Sequence, residues 1–101
     1  MYKNIEQFDK AIPYCLKALS INPNNDVILL TLGQIYGAKR DLYKAKKYFE
    51  QAVAANPNNA EAWGGLGGIY YLMGMKDEAI NALKRACELG LEDACSLISR
   101  L

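Results

Sequence analysis

Cysteines, carboxylates and a run of glycines are the residues of this 101-residue chain that could do chemistry. There is no histidine, which excludes histidine-dependent triads, proton relays near neutral pH and mixed Cys/His zinc sites. Cys15, Cys87 and Cys95 are not spaced as C-x-x-C, and a structural zinc site would need a fourth ligand that nothing obvious supplies. The acids Asp41, Glu50, Glu61, Asp77, Glu78, Glu88, Glu92 and Asp93 are scattered, with no pair in an obvious pocket. Paired acid–base catalysis therefore has no support. The chain is expected to have no catalysis of its own, no metal and no cofactor.

The glycines raise a sharper question. "WGGLGGIYY", residues 63–71, holds Gly64, Gly65, Gly67 and Gly68. A phosphate-cradling loop needs a strand before the glycines and a helix after them. Nothing before Trp63 reads as a strand, and the spacing fits neither G-x-G-x-x-G nor a Walker loop. Two other features are equally quiet. Lys39, Arg40, Lys44, Lys46 and Lys47 could dock an acidic partner, yet the net charge of +1 favours a solvated convex face. The tyrosines would stack on bases only beside a basic groove, which is lacking, so no nucleic acid partner is expected.

A repeat in the chain explains the glycines. "NPNN" occurs at residues 22–25 and again at 56–59, an offset of 34. At the same offset Ala11, Ala45 and Ala79 align, as do Ala18, Ala52 and Ala86, Tyr14 and Tyr48, and Leu32, Gly33 and Tyr36 with Leu66, Gly67 and Tyr70. Two full units, 26–59 and 60–93, follow a partial unit, 1–25; residues 94–101 start another or cap the stack. Each unit reads as two helices. Asn24 or Asn25 caps the first and Asp41 the second, with apolar residues at three-four spacing. Pro57 stops the second near Asn56. The spacing predicts helices over about 5–21, 25–38, 41–55, 59–73, 76–89 and 92–100. Pro13 is tolerable in the first turn of a helix that begins near Asp9. One such hairpin cannot bury its own apolar face, so neighbours must stack.

A 34-residue helix-turn-helix unit with Trp63, Leu66, Gly67, Tyr70, Gly74, Ala79 and Ala86 resembles the tetratricopeptide repeat. Unit 26–59 carries Leu32, Gly33, Tyr36, Ala45, Phe49, Ala52 and Pro57. The departures are Leu29 for Trp, Arg40 for the inter-helix Gly, Cys15 at the Phe position and Leu91 where Pro is expected. The resemblance implies an all-α fold, helix-turn-helix repeats stacked as a right-handed α-solenoid. It also implies that the first helix of each unit lines a concave groove that takes a protein or peptide partner. By register, the groove residues are Val27, Leu30, Gln34, Gly37, Gly64, Gly68, Tyr71 and Leu72. Gly64 and Gly68 would bare helix backbone to a ligand there, or else serve close packing within the stack.

Chaperone-linked members of the family hold a terminal carboxylate with Lys, Asn and Arg. The matching positions here are Leu30, Gln34, Thr31, Glu61 and Gly65, so that clamp is absent. An apolar partner segment is expected instead, with self-assembly into a homo-oligomer, through the groove or a terminal helix, as the alternative. "ACELGLEDAC" resembles the related Sel1-like repeats, some of which are secreted and bridge cysteines at this spacing. The expectation adopted is that Cys87 and Cys95 stay reduced. No apolar run reaches the length of a membrane span, and the polar N-terminus does not resemble a signal peptide. A cytoplasmic chain is the default expectation, unless the sequence is a piece of a longer protein.

Overall fold

The computed structural model describes the backbone of residues 2–101 and the side chains from Gln7 onward. Six helices follow one another: α1 Tyr2–Ile21, α2 Asp26–Ala38, α3 Leu42–Ala55, α4 Ala60–Leu72, α5 Lys76–Glu88 and α6 Glu92–Arg100. The described residues contain no strand. Helices α2 and α3 form one antiparallel hairpin and α4 and α5 the next, with α1 and α6 packed on the two ends.

The interior is built from the repeating positions. Leu29, Leu32, Ala45, Phe49 and Ala52 are buried in the first hairpin, and Leu66, Ala79, Leu83 and Ala86 in the second. Trp63 packs against both core clusters, and its indole N–H donates to the Pro57 carbonyl at 2.8 Å. Close helix approach explains the glycine that recurs at the 34-residue offset. A Cβ at Gly33 would lie 2.8 Å from the Phe49 ring, and one at Gly67 2.7 Å from Leu83 Cγ. Neither position has room for a methyl group.

Three connections share one geometry. Asp41, Met75 and Leu91 each donate a backbone N–H to the carbonyl five residues back, Tyr36, Tyr70 and Ala86, at 2.9, 2.8 and 3.0 Å. This is the Schellman closure, which needs a left-handed residue just past the helix. Arg40 (φ 67°), Gly74 (φ 79°) and Gly90 (φ 104°) fill that place. Arg40 thus adopts the glycine's conformation without being one.

The "NPNN" connections are different. Asn25 Oδ1 accepts from the N–H groups of Val27 and Ile28 at 3.1 and 3.2 Å, and Asn59 Oδ1 from Ala62 at 3.1 Å. Asn56 and Asn59 also donate side-chain N–H groups to Asp26 Oδ2, at 3.0 and 2.9 Å. These bonds hold the Asp26 carboxyl below the usual carboxylate range. Before α6 no such motif exists. Residues 25 and 59, which cap the first helices of their units, are 34 apart, but only 32 residues separate Asn59 from the corresponding cap of α6, Leu91, which makes no side-chain bond to the helix.

Two expectations need correction. Cys87 and Cys95 are joined by a disulfide rather than reduced, with Cα atoms 4.9 Å apart across the α5–α6 turn. The tight turn brings the end of α5 and the start of α6 within bonding reach. Pro13 lies in the interior of α1 rather than in a first turn, because the helix begins at Tyr2. It therefore lacks the N–H that would have bonded the Asp9 carbonyl.

Candidate functional site

Helices α2, α4 and α6 line one side of the stack, and a hollow of about 640 Å³ opens between them. Its floor is Phe49 and Leu83, reaching through from the second helices of their hairpins, with Ile69 beside them. Glycine makes the hollow possible. Gly33, Gly37, Gly65 and Gly68 all border it, Gly33 and Gly65 by letting their helices close on the Phe49 ring and Gly68 by leaving open space. Leu97, Arg100 and Leu101 close it from α6 and the C-terminal residue. A smaller hollow of about 240 Å³ adjoins it, bordered by Gly64, Leu91, Glu61 and Asp93.

The run at 63–71 divides by role. A Cβ at Gly65 would press into the Phe49 ring and one at Gly67 into Leu83, so these two are packing residues. A Cβ at Gly64 would lie 2.7 Å from Leu91 Cδ2, where α4 meets the start of α6. Gly68 has nothing within 4 Å, so its backbone faces open space. Gly64 therefore belongs to the contact with α6 as well as to the smaller hollow.

The structure brings together Gln34, Gly37, Gly68, Tyr71 and Leu72 around the larger hollow and puts Gly64 at the smaller one. Tyr71 and Leu72 are both more than half exposed, at 53% and 55%. Val27 is exposed but borders neither hollow, because it sits at the first turn of α2. Leu30 is the clear departure. It is 7% exposed and sits in the core cluster rather than at a free surface. Sequence reasoning missed Leu97, Arg100 and Leu101. At an offset of 32, Leu97 matches Gly65 and Arg100 matches Gly68. The offset of 34 carried past the shortened α5–α6 turn conceals both.

The charges are unevenly placed. Arg100 is the one charged residue bordering the larger hollow among the described residues, whereas Glu61 and Asp93 border the smaller one. Thr31 spends its hydroxyl on the Val27 carbonyl at 2.8 Å. On the other side of the stack Tyr36, Tyr48 and Tyr70 are structural. Tyr36 stacks on Tyr48 with ring centroids 5.6 Å apart, and Lys44 Nζ lies 5.2 Å from the Tyr36 ring centre. Tyr70 donates its hydroxyl to Glu50 at 2.9 Å, and burial together with that carboxylate pushes its pKa up to about 12. The basic run is partly paired: Lys39 bonds Asp9, and Lys44 Nζ lies 3.9 Å from Asp41. No described helix is long and apolar enough to cross a membrane.

Comparison with known proteins points one way. Three family profiles described as "Tetratricopeptide repeat" match residues 38–93, 14–47 and 1–25. The BBSome complex member BBS4 of Bos taurus is 35% identical over 82 residues, which cover 81% of this chain and 16% of that protein. The chain spans between 6% and 16% of the length of four such curated relatives. Among solved structures, the first TPR of Spaghetti (RPAP3), bound to the HSP90 peptide SRMEEVD, superposes with a TM-score of 0.88. The identity is 22%, over 98% of this chain and 80% of that one. MamA superposes with a TM-score of 0.86 at 32% identity, over 95% of this chain and 57% of the other.

Proposed function

This chain belongs to the tetratricopeptide repeat family, and from that premise we propose that it is a non-catalytic module that docks an apolar protein segment in its concave hollow. The observation that carries the reading is the hollow itself. It is floored by Phe49, Ile69 and Leu83 and walled by glycines, one of which, Gly68, leaves its backbone open. Apolar side chains entering such a space lose water contact on the face turned to the floor, and the bared helix allows close approach. Arg100 at the rim suits a partner with a carboxylate beside its apolar residues.

The Spaghetti repeat, which shares the fold, holds an acidic peptide. The positions that would grip a terminal carboxylate are here Leu30, Gln34, Thr31, Glu61 and Gly65. Leu30 is buried, Thr31 is bonded to its own helix, and Glu61 would repel an acidic ligand. The apolar segment therefore replaces the acidic one. The compartment follows the redox state: a cytoplasmic chain keeps its thiols reduced, and an exported one keeps the Cys87–Cys95 bridge.

Titration with an environment-sensitive apolar dye and with the peptide SRMEEVD tests the reading. The dye is expected to bind and the acidic peptide to be ignored. Gly68→Leu should fill the open wall and abolish dye binding while thermal melting is retained. Dye binding unchanged by Gly68→Leu, or tight capture of the acidic peptide, would show that the hollow is not the docking site described.

A further inference from the structure

The two hollows form one trough. Gln34, Gly65, Leu83 and Leu97 border both, so an occupant can pass from one to the other without leaving the surface. The trough runs along α4 and α6. At its start stand Glu61, the second residue of α4, and Asp93, the second residue of α6. At its far end stand Tyr71 and Leu72, the last residues of α4, and Arg100, the last of α6.

The charges at the two ends are opposite in sign. Glu61, Asp93 and Arg100 are all exposed. The ion pairs among the described residues join Lys39 to Asp9, Lys44 to Asp41 and Arg85 to Glu88, so none of the three is engaged. Both carboxylates sit in the first turn of a helix and Arg100 in the last turn of one, where the helix dipole favours these signs. The fold therefore tolerates all three without a partner, and they stay available to one. A segment with charges of one sign meets attraction at one end of the trough and repulsion at the other. A segment with opposite charges meets attraction at both, in one direction only.

We infer that the trough takes an extended protein segment in a fixed direction, with its acidic residue at Arg100, its basic residue at Glu61 and Asp93, and apolar residues between. An extended segment cannot pair its own peptide groups. Gln34, which borders both hollows, offers an amide donor and a carbonyl acceptor for them midway. Asp93 and Arg100 are seven residues apart in α6, about 10 Å along the helix. An extended chain covers that in about three residues, so the partner's opposite charges stand about three or four positions apart once side-chain reach is added. Direction and charge order are additions to the docking role of the hollow, on which they rest.

NMR titration of the isotope-labelled 101-residue chain tests them. The probes are four capped peptides of three leucines, flanked by glutamate and lysine, by two glutamines, by two glutamates or by two lysines. The glutamate–lysine peptide is expected to bind about fivefold more tightly than the glutamine one, and the like-charged peptides no more tightly than it. Arg100→Gln should remove most of that advantage and leave the glutamine peptide's affinity unchanged. A nitroxide label beside the glutamate should broaden the amide signals of Tyr71 and Leu72 more than those of Glu61 and Asp93. In a triple variant, Glu61→Lys, Asp93→Lys and Arg100→Glu, that order should reverse. Equal affinity for the glutamate–lysine and glutamine peptides overturns the inference, as does a broadening pattern that the triple variant leaves in place. In either case, binding of the apolar dye and the glutamine peptide would leave the hollow's docking role standing. Failure of the dye and of all four peptides would overturn both.

Discussion

The junctions α3–α4 and α5–α6 do the same job by different chemistry. At the first, Asn56 and Asn59 reach back to Asp26 of the preceding helix, and Asn59 caps α4. At the second, the polar motif is gone, Leu91 caps nothing with its side chain, and a disulfide holds the helices together. The substitution is positional as well as chemical. Cys87 stands where Val53 does, and Cys95 matches Trp63 at the shorter offset. Both Val53 and Trp63 pack against the first core cluster. A covalent bond has taken the place of an apolar contact and a hydrogen-bonded loop. One repeat architecture thus tolerates either fastening, but the two answer to different conditions, acid for one and reductant for the other.

Trp63 touches both junctions, so its loss should blur the difference between them. Trp63→Ala is expected to cost about 3 kcal/mol, near the low end for such a truncation because the ring is half-buried. Lys47→Ala on the exposed face should cost little. Denaturant unfolding measures both, and equal stabilities would show that Trp63 does not hold the hairpins together.

Reduction separates the junctions. The bridge closes a loop of about nine residues, for which chain entropy gives roughly 2–3 kcal/mol. Reductant should therefore lower the melting temperature and speed hydrogen exchange in α6, leaving α2 and α3 protected as before. Alkylation without reductant, followed by mass spectrometry, should find Cys87 and Cys95 unlabelled. Labelling of both thiols in the purified protein would return the pair to the reduced state expected from the sequence.

The turn before α6 gives a smaller effect. Gly90 sits at φ 104°, where an L side chain is strained. Gly90→Ala should cost about 1–2 kcal/mol. Asn58→Ala, in a loop with no left-handed residue, should be nearly silent in the same melts.

Acid should act on the other junction alone. The Asp26 carboxyl is held below its unfolded value, so its contribution is present above that unfolded value and lost as pH falls through the folded one. Asp26→Ala should remove about 1 kcal/mol at neutral pH. It should also flatten the part of the pH–stability curve below about pH 4 that the wild type shows. If the variant keeps the full acid dependence, Asp26 is not the group that titrates.

Much of this was legible in the residues, and the misses share causes. Helices α2 to α5 follow from three-four spacing and asparagine caps, because those signals act within one turn of chain. The large hollow was half visible. Gln34, Gly37 and Gly68 lie at register positions that local periodicity supplies. Leu97 and Arg100 do not, since the short α5–α6 turn shifts every later residue by two. Leu30 was misplaced for a different reason. Register assigns a helix face, but whether that face is open depends on the neighbouring helix, and Leu30 is covered. The glycine run hid three roles behind one letter, which only the positions of Phe49, Leu83 and Leu91 could separate. The disulfide was what the Sel1-like resemblance implied, against the reduced pair expected, because a spacing cannot show how tightly the α5–α6 turn draws the two thiols together.

The missing two residues before α6 act like a stacking fault in a layered crystal. Upstream of the fault the layers are interchangeable: a 34-residue cassette cut between Asn25 and Asn59 begins and ends on the same asparagine cap, so duplicating or deleting it restores the same joint. Downstream that freedom ends. A cassette inserted between Cys87 and Cys95 would part the two thiols and deliver an asparagine loop to a helix that has no use for it. Recombination can therefore lengthen or shorten this chain on one side of α5, while α5 and α6 have to be inherited as a single block.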